Sequence, residues 1–180
     1  MAEIICGGFG GQGILTTGMI LANIGVDEGL EVSWSPSYGS EMRGGTANCS
    51  VILSDDEVGS PKVTYPDYLV VMNLPALQKF EHSVRDNGAI LIDSSIVPTD
   101  RAFPEALPVY AVEATQLAHE AGAPRGANVI MLGALIKISG LFSEDAARRG
   151  MNRFFERKGK NSPGNDDCFT LGYTRVYRVQ

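Results

Sequence analysis

Apolar positions along the chain follow two patterns that alternate from the N-terminus onward. Short continuous apolar runs, such as Glu3–Cys6 and Ala89–Ile92, are typical of strands that are buried on both faces of a parallel sheet. Between such runs lie segments with apolar residues three and four positions apart, which indicate helices. Because strands and helices alternate, we predict an α/β fold with helices on both faces of one sheet.

The individual elements follow from the same patterns. The pattern predicts six strands, at Glu3–Cys6, Glu31–Ser35, Thr46–Leu53, Tyr68–Met72, Ala89–Ile92 and Val109–Val112. It predicts helices at Gln12–Asp27, Leu74–Val84, Thr115–Glu120, Asn128–Ile138 and Ser143–Arg157, the last with Ser143 as N-cap. We expect a three-layer α/β/α sandwich on a mostly parallel, mixed sheet of about six strands, at least one of them antiparallel.

The C-terminal stretch departs from this alternation. A turn-rich break follows Lys158, and Cys168–Val179 is expected to form an edge strand or an arm that contacts a partner. We therefore divide the chain into an α/β domain over residues 1–158 and a tail over residues 159–180.

Composition narrows the class of protein. The chain has 180 residues and a net charge of −6, which argues against nucleic acid as a partner. Its longest apolar segment, Val129–Phe142, is interrupted by polar residues and is too short to span a bilayer, and no signal peptide is visible, so we expect a cytoplasmic protein. The unusual feature is glycine: 21 residues, of which eleven fall within the first 45 positions.

The first glycine cluster, Gly8–Gly13, satisfies the pattern G-x-G-x-x-G between a predicted strand and a predicted helix. Glycines let the backbone approach a phosphate, and a helix N-terminus offers unpaired N–H groups to it, so the arrangement is Rossmann-like. The second strand, however, ends in Trp34-Ser35-Pro36 and lacks the acid that would hold a ribose. A Walker loop is also excluded, because Ile14 and Leu15 stand where Lys and Ser or Thr are needed.

A second cluster, Tyr38–Gly45, leaves the carboxyl end of the second strand. Both clusters are therefore expected at the sheet edge where open α/β folds bind ligands. Arg43 is suited to a phosphate or carboxylate and Glu41 to orienting it, and we favour this interpretation over the alternative of a surface ion pair between the two.

Other reactive residues favour structural roles. The three cysteines, Cys6, Cys49 and Cys168, have no C-x-x-C spacing, so an iron–sulfur or zinc site on this chain alone is not expected. His82 and His119 stand alone on predicted helices. The interpretation of Asp93 as a turn or cap residue is favoured over a functional one.

Several motifs together resemble the gamma subunit of 2-oxoacid:ferredoxin (acceptor) oxidoreductases, the pyruvate/ketoisovalerate oxidoreductase gamma-domain family. They are Gly8–Gly13, Ser37–Ala47, Asp67–Asn73, Gly88–Ser95 and Gly126–Leu135, spread over roughly residues 3 to 155. The paired glycine loops are the specific signal, and the last twenty residues do not match the usual ending of the family.

The resemblance implies an enzyme complex that converts a 2-oxoacid, coenzyme A and oxidised ferredoxin into acyl-CoA, carbon dioxide and reduced ferredoxin. It implies that thiamine diphosphate and iron–sulfur clusters sit on partner chains, namely the alpha, beta and ferredoxin-like delta subunits. The resemblance also implies that this chain is inactive alone and forms a homodimer or hetero-oligomer. In the complex it would complete the assembly and help to bind coenzyme A. The sequence of the second loop most resembles that of the family members that act on 2-oxoglutarate or branched-chain oxoacids. Of these we favour 2-oxoglutarate as the substrate.

For the coenzyme A contact we predict backbone donors in the first loop and polar anchors elsewhere, with Arg125 within reach of the same edge. The predicted site residues are Gly10, Gly11, Gln12, Gly13, Tyr38, Arg43, Gly44 and Asn128. Two other functions stay open at this point: a stand-alone NAD(P)- or flavin-binding protein, and a non-catalytic interaction protein whose glycine loops are purely structural.

Overall fold

A mixed sheet forms the centre of the computed structural model, which describes residues 1–38, 45–160 and 163–180. Within these residues the sheet has seven strands in the order β2-β3-β1-β4-β5-β6-β7. The strands are β1 (Ala2–Phe9), β2 (Glu31–Tyr38), β3 (Thr46–Ser54), β4 (Tyr68–Val71), β5 (Ala89–Asp93), β6 (Val109–Val112) and β7 (Tyr177–Arg178).

Strand directions bring several carboxyl ends to one edge of the sheet. β1, β4, β5 and β6 run parallel to one another, whereas β3 is antiparallel to both β1 and β2. β2 therefore points the same way as β1, with β3 between them. The glycine loop after β1 and the end of β2 consequently lie at the same edge, as the sequence predicts.

Helices cover both faces of this sheet unequally. They are α1 (Ile14–Asp27), α2 (Leu74–Phe80), α3 (Ala114–Glu120), α4 (Ala127–Ser139), α5 (Glu144–Arg157) and α6 (Pro163–Arg175). The larger hydrophobic core joins one sheet face to α1 and α3–α6, and the smaller core joins the other face to α2 and three loops. This confirms the predicted α/β/α architecture. Among the described helices, none combines the length and hydrophobicity that a bilayer-spanning segment needs.

Small residues let α1 lie close to the sheet. A Cβ placed on Gly18 would collide with the sulfur of Cys49 on β3, and one on Gly25 would lie 2.9 Å from Val32 on β2. Trp34 lies beside the same groove, because its ring nitrogen would be 3.3 Å from a Cβ on Gly18. Packing at this distance fixes the direction in which the N-terminus of α1 meets the end of β1.

The C-terminal region differs from the prediction. Most of the expected strand Cys168–Val179 is the helix α6, and only Tyr177–Arg178 pairs with β6 as an edge strand. Cys168 and Phe169 of α6 are fully buried against the larger core. A Cβ on Gly172 would collide with the carbonyl oxygen of Ile130 in α4, so the two helix backbones are in direct contact. The domain boundary at residue 158 stays a prediction.

Candidate functional site

Backbone hydrogen bonds hold the loop after β1 in place. The N–H of Gly10 donates to the carbonyl of Gly45 at 3.0 Å, and the N–H of Gln12 donates to the carbonyl of Phe9 at 3.1 Å. Two of the four backbone donors assigned to a ligand from the sequence are therefore already used inside the fold. The N–H groups of Gly11 and Gly13 are the two of these four donors that stay unpaired among the described residues.

The Gln12 side chain fastens the same loop to the neighbouring strand. Its Oε1 accepts from the N–H of Phe9 at 2.6 Å, and its Nε2 donates to the carbonyl of Met72 at 2.9 Å. Met72 directly follows β4, so Gln12 joins the carboxyl ends of two adjacent strands. The sequence pattern predicts only a backbone role for Gln12. The local residue spacing does not reveal these two side-chain hydrogen bonds, which we call the Gln12 brace.

Among the described residues, the N–H groups of Gly11 and Gly13, just before α1, have no acceptor. Gly11 and Gly13 have φ angles of 105° and 80°, which favour glycine. Gly13 is the N-cap of α1 and offers no side-chain cap, so the first-turn N–H groups have no acceptor in the described part of the chain. A helix N-terminus in this state attracts anions. The helix begins at Ile14, two residues after the predicted start, because Gly13 is left-handed.

Asn128, at the start of α4, stands directly across from Gly13. A Cβ on Gly13 would lie 3.0 Å from the Asn128 amide, and the Asn128 Nδ2 reaches the Gly13 carbonyl at 3.5 Å. The carbonyl of Asn128 accepts from the Thr17 hydroxyl at 3.1 Å, which ties α4 to α1. The N-termini of α1 and α4 therefore meet, and both have glycine N-caps without side-chain caps.

A cleft of about 490 Å³ opens where these helix ends meet. Its walls include Gly11, Gly13 and Asn128 from the prediction, and Arg125, which the sequence also brought to this edge. They also include Lys160, for which the sequence predicts no role. No Asp or Glu is among the described residues that line the cleft, although the chain has more acidic than basic side chains. The cleft is thus locally cationic in an acidic protein.

Tyr38 lies on the other side of the glycine loop. It is 53% exposed at the end of β2 and lines a cavity of about 290 Å³ together with Gly10, Gly11 and Gly13. The predicted site residues Arg43 and Gly44 lie outside the described residues. Of the eight predicted site residues, six are described, and all six line one of these two neighbouring cavities.

The remaining reactive side chains have structural roles. Asp93 is fully buried at the end of β5, where its carboxylate accepts from the N–H of Ser95 at 3.0 Å and from the backbone and hydroxyl of Thr115. This confirms its interpretation as a turn and cap residue. Within the described residues, no group of three or more His, Cys, Asp or Glu is arranged to hold a metal ion.

All three cysteines are buried and unpaired as disulfides. Cys6 and Cys49 lie opposite each other on β1 and β3. Their mutual hydrogen bond, together with burial, raises the pKa of Cys6 well above its usual value, while the same bond lowers the pKa of Cys49. Burial also raises the pKa of Cys168. Cys6 and Cys49, which lie in apolar runs of the sequence, are small buried core side chains, as those runs predict.

Fold and site together define a class: an α/β domain that presents a phosphate-suited glycine loop and a cationic cleft at the carboxyl edge of its sheet. Sequence comparison gives the family. The model for the pyruvate ferredoxin/flavodoxin oxidoreductase family matches residues 3–175, and the chain belongs to that family. The match continues past residue 155, the approximate end of the resemblance seen in the sequence, to the end of α6.

Curated relatives of the chain are subunits of oxoacid oxidoreductases. It is 34% identical over 179 residues to the 2-oxoglutarate synthase subunit KorC of Methanocaldococcus jannaschii, covering 98% of this chain and 92% of KorC. It is 42% identical over 155 residues to the ketoisovalerate oxidoreductase subunit VorA of Methanothermobacter marburgensis, covering 85% of this chain but 32% of VorA. The chain thus spans about a third of the length of the VorA proteins that it matches.

Solved structures give the same result for the fold. The gamma subunit of a keto/oxoacid ferredoxin oxidoreductase from Geobacter sulfurreducens has a TM-score of 0.78 and 27% identity, covering 97% of this chain and 98% of that one. A 2-oxoglutarate:ferredoxin oxidoreductase from Magnetococcus marinus, solved with 2-oxoglutarate, coenzyme A and succinyl-CoA bound, has a TM-score of 0.82 and 26% identity, covering 95% of this chain and 30% of that one. These similarities favour the oxidoreductase subunit over a stand-alone nucleotide-binding protein.

Proposed function

We propose that this chain is the gamma subunit of a 2-oxoacid:ferredoxin oxidoreductase that oxidatively decarboxylates a 2-oxoacid to acyl-CoA and carbon dioxide. We assign 2-oxoglutarate as the oxoacid, because the similarity to KorC extends over nearly the whole of both chains. In this proposal thiamine diphosphate and the iron–sulfur clusters belong to alpha, beta and ferredoxin-like delta subunits in the cytoplasm. The chain itself contributes to coenzyme A binding.

One observation carries the coenzyme A assignment: the phosphate-suited groups of distant segments converge on one cleft. Gly11, Gly13 and Thr16 of the first turn of α1 line a cleft that Arg125 and Asn128 also line. Coenzyme A carries a diphosphate and a 3′-phosphate, and such groups are bound by helix N-termini and guanidinium groups. Tyr38 and Arg43 extend the proposed contact beyond the glycine loop.

A charge introduced at Gly11 tests this assignment. A Cβ added to Gly11 would meet no atom within 4 Å, and the positive φ strains Asp and Asn to a similar degree. Gly11→Asp and Gly11→Asn therefore form a matched pair that differs mainly in one negative charge. In the assembled complex we expect Gly11→Asp to have a KM for coenzyme A about tenfold above that of Gly11→Asn, which corresponds to about 1.4 kcal/mol.

The KM for the 2-oxoacid should be the same for both variants, because the added charge faces the coenzyme A cleft. Arg43→Ala should also raise the KM for coenzyme A, whereas Arg149→Ala, which removes an exposed cation on α5, should not. Equal coenzyme A KM values for Gly11→Asp and Gly11→Asn in an intact complex would contradict the assignment of the loop to a phosphate.

A further inference from the structure

The C-terminal segment contributes a cation to the cleft described above. Lys160 follows the end of α5 and precedes α6, and it lines the 490 Å³ cleft together with Arg125 and Asn128. The same three residues line an adjoining cavity of about 360 Å³ between α4, α5 and α6. Lys160 and Arg125 therefore stand at the junction of the two cavities.

The charges of these two cations are not neutralised by any residue that the structure describes. Within the same residues Lys160 and Arg125 form no ion pair, whereas nearby basic residues do. Arg148 pairs with Glu144 at 2.6 Å, and Arg153 and Arg157 both contact Asp27 at 3.5 Å. Two like charges that share a cavity without a counter-ion repel each other. An anionic ligand between them would remove that repulsion.

A hydrogen bond ties the backbone of Lys160 to the end of α5. Its own N–H donates to the carbonyl of Phe155 at 2.9 Å, which continues from the end of α5. Beyond it, Cys168 and Phe169 hold α6 in the core. The buried amide nitrogen of Asn165 in α6 has no acceptor among the described residues, and Asn165 lines the adjoining cavity. The segment thus brings both a cation and an unused donor to these cavities.

We propose that Lys160, acting with Arg125, binds a phosphate group of coenzyme A, so that the C-terminal segment completes the binding site. This inference rests on the proposed function. It gives Lys160, which lies in the segment predicted as a separate tail, a ligand-binding role that the motifs of the glycine loops do not include. The phosphate is either the 3′-phosphate or the diphosphate, which share the chemistry that Lys160 recognises.

The test compares Lys160→Ala with wild type in the assembled oxidoreductase complex, using coenzyme A and 3′-dephospho-coenzyme A as ligands. We expect the Kd for coenzyme A, measured by calorimetry, to rise roughly five- to tenfold, since one charge-assisted contact is lost at a partly solvated site. Lys160→Arg should retain most of the affinity. Arg149→Ala, which removes an exposed cation outside these cavities, is the control and should leave the Kd unchanged.

The two ligands separate the two phosphate sources. A loss with coenzyme A but not with the dephospho form assigns Lys160 to the 3′-phosphate, and an equal loss with both assigns it to the diphosphate. An unchanged Kd for both ligands in Lys160→Ala, with wild-type affinity intact, would refute the role of Lys160 while leaving the proposed function standing. Failure of the wild-type complex to bind coenzyme A would instead refute the proposed function.

Discussion

The contact between α4 and α6 allows a stability prediction to be worked out from distances. A Cβ added at Gly172 in α6 would lie 2.7 Å from the carbonyl carbon of Ile130 and 2.9 Å from the backbone nitrogen of Ala134, both in α4. Because backbone atoms cannot rotate away, the helices must separate, and we take the upper end of the usual overpacking cost, about 3 kcal/mol. Alanine is a better helix former than glycine, and this difference stabilises the folded variant by about 1 kcal/mol. The net loss for Gly172→Ala is about 2 kcal/mol.

Thermal unfolding followed by circular dichroism measures this effect. For a domain of this size a loss of about 2 kcal/mol lowers the Tm by roughly 4–8 °C. Gly59→Ala is the matched control, since a Cβ there meets nothing within 4 Å and the φ angle is ordinary, so its Tm should stay within about 2 °C of wild type. A Gly172→Ala protein at least as stable as wild type would refute the close docking of α6.

Three further outcomes are expected from buried groups. Gln12→Ala should lower the free energy of unfolding in urea by about 1–2 kcal/mol, because it leaves two backbone groups without their partner; an unchanged midpoint would contradict the brace. Asp93→Ala should lower the free energy of unfolding in urea by roughly 2–4 kcal/mol, and Asp93→Asn should lower it less, since Asn keeps one acceptor oxygen. Equal losses for the two variants would argue against the capping role. Cys6, Cys49 and Cys168 should react with a thiol reagent only after denaturation, and a fast reaction in the native protein would contradict their burial.

The central part of the fold could be predicted from the sequence because its signals are local. Continuous apolar runs occur where a strand is buried on both faces, and β5 is buried at all five positions. Ser143 caps α5 as its position before the helical pattern predicts, accepting from the N–H of Ala146 at 3.2 Å. The first glycine cluster and the end of β2 lie at the same sheet edge, as predicted, because β1 and β2 point the same way.

The helix α6 could not be predicted in the same way, since its sequence lacks a clear apolar stripe. Asn165 and Gly172 are weak helix formers, and Pro163-Gly164 looks like a turn. Proline is nevertheless well placed at a first helical position, and Arg175 in the last turn suits the helix dipole, so a signal was present. What decides the structure is tertiary packing: Gly172 permits the close approach to α4, and Phe169 fills the core.

The cleft itself combines segments that no local pattern connects. Its donors come from residues 11–13, its amide and guanidinium from residues 125–128, and its lysine from residue 160. Sequence motifs can identify the first wall, because glycine clusters are visible without a structure. They cannot show that Lys160 faces the same space, because that depends on how α5 ends and where α6 docks. The absence of carboxylates from the described lining of the cleft, in a chain of net charge −6, is likewise visible only in three dimensions. Net charge therefore says little about ligand charge here, because anion affinity depends on which residues the fold brings together at one sheet edge.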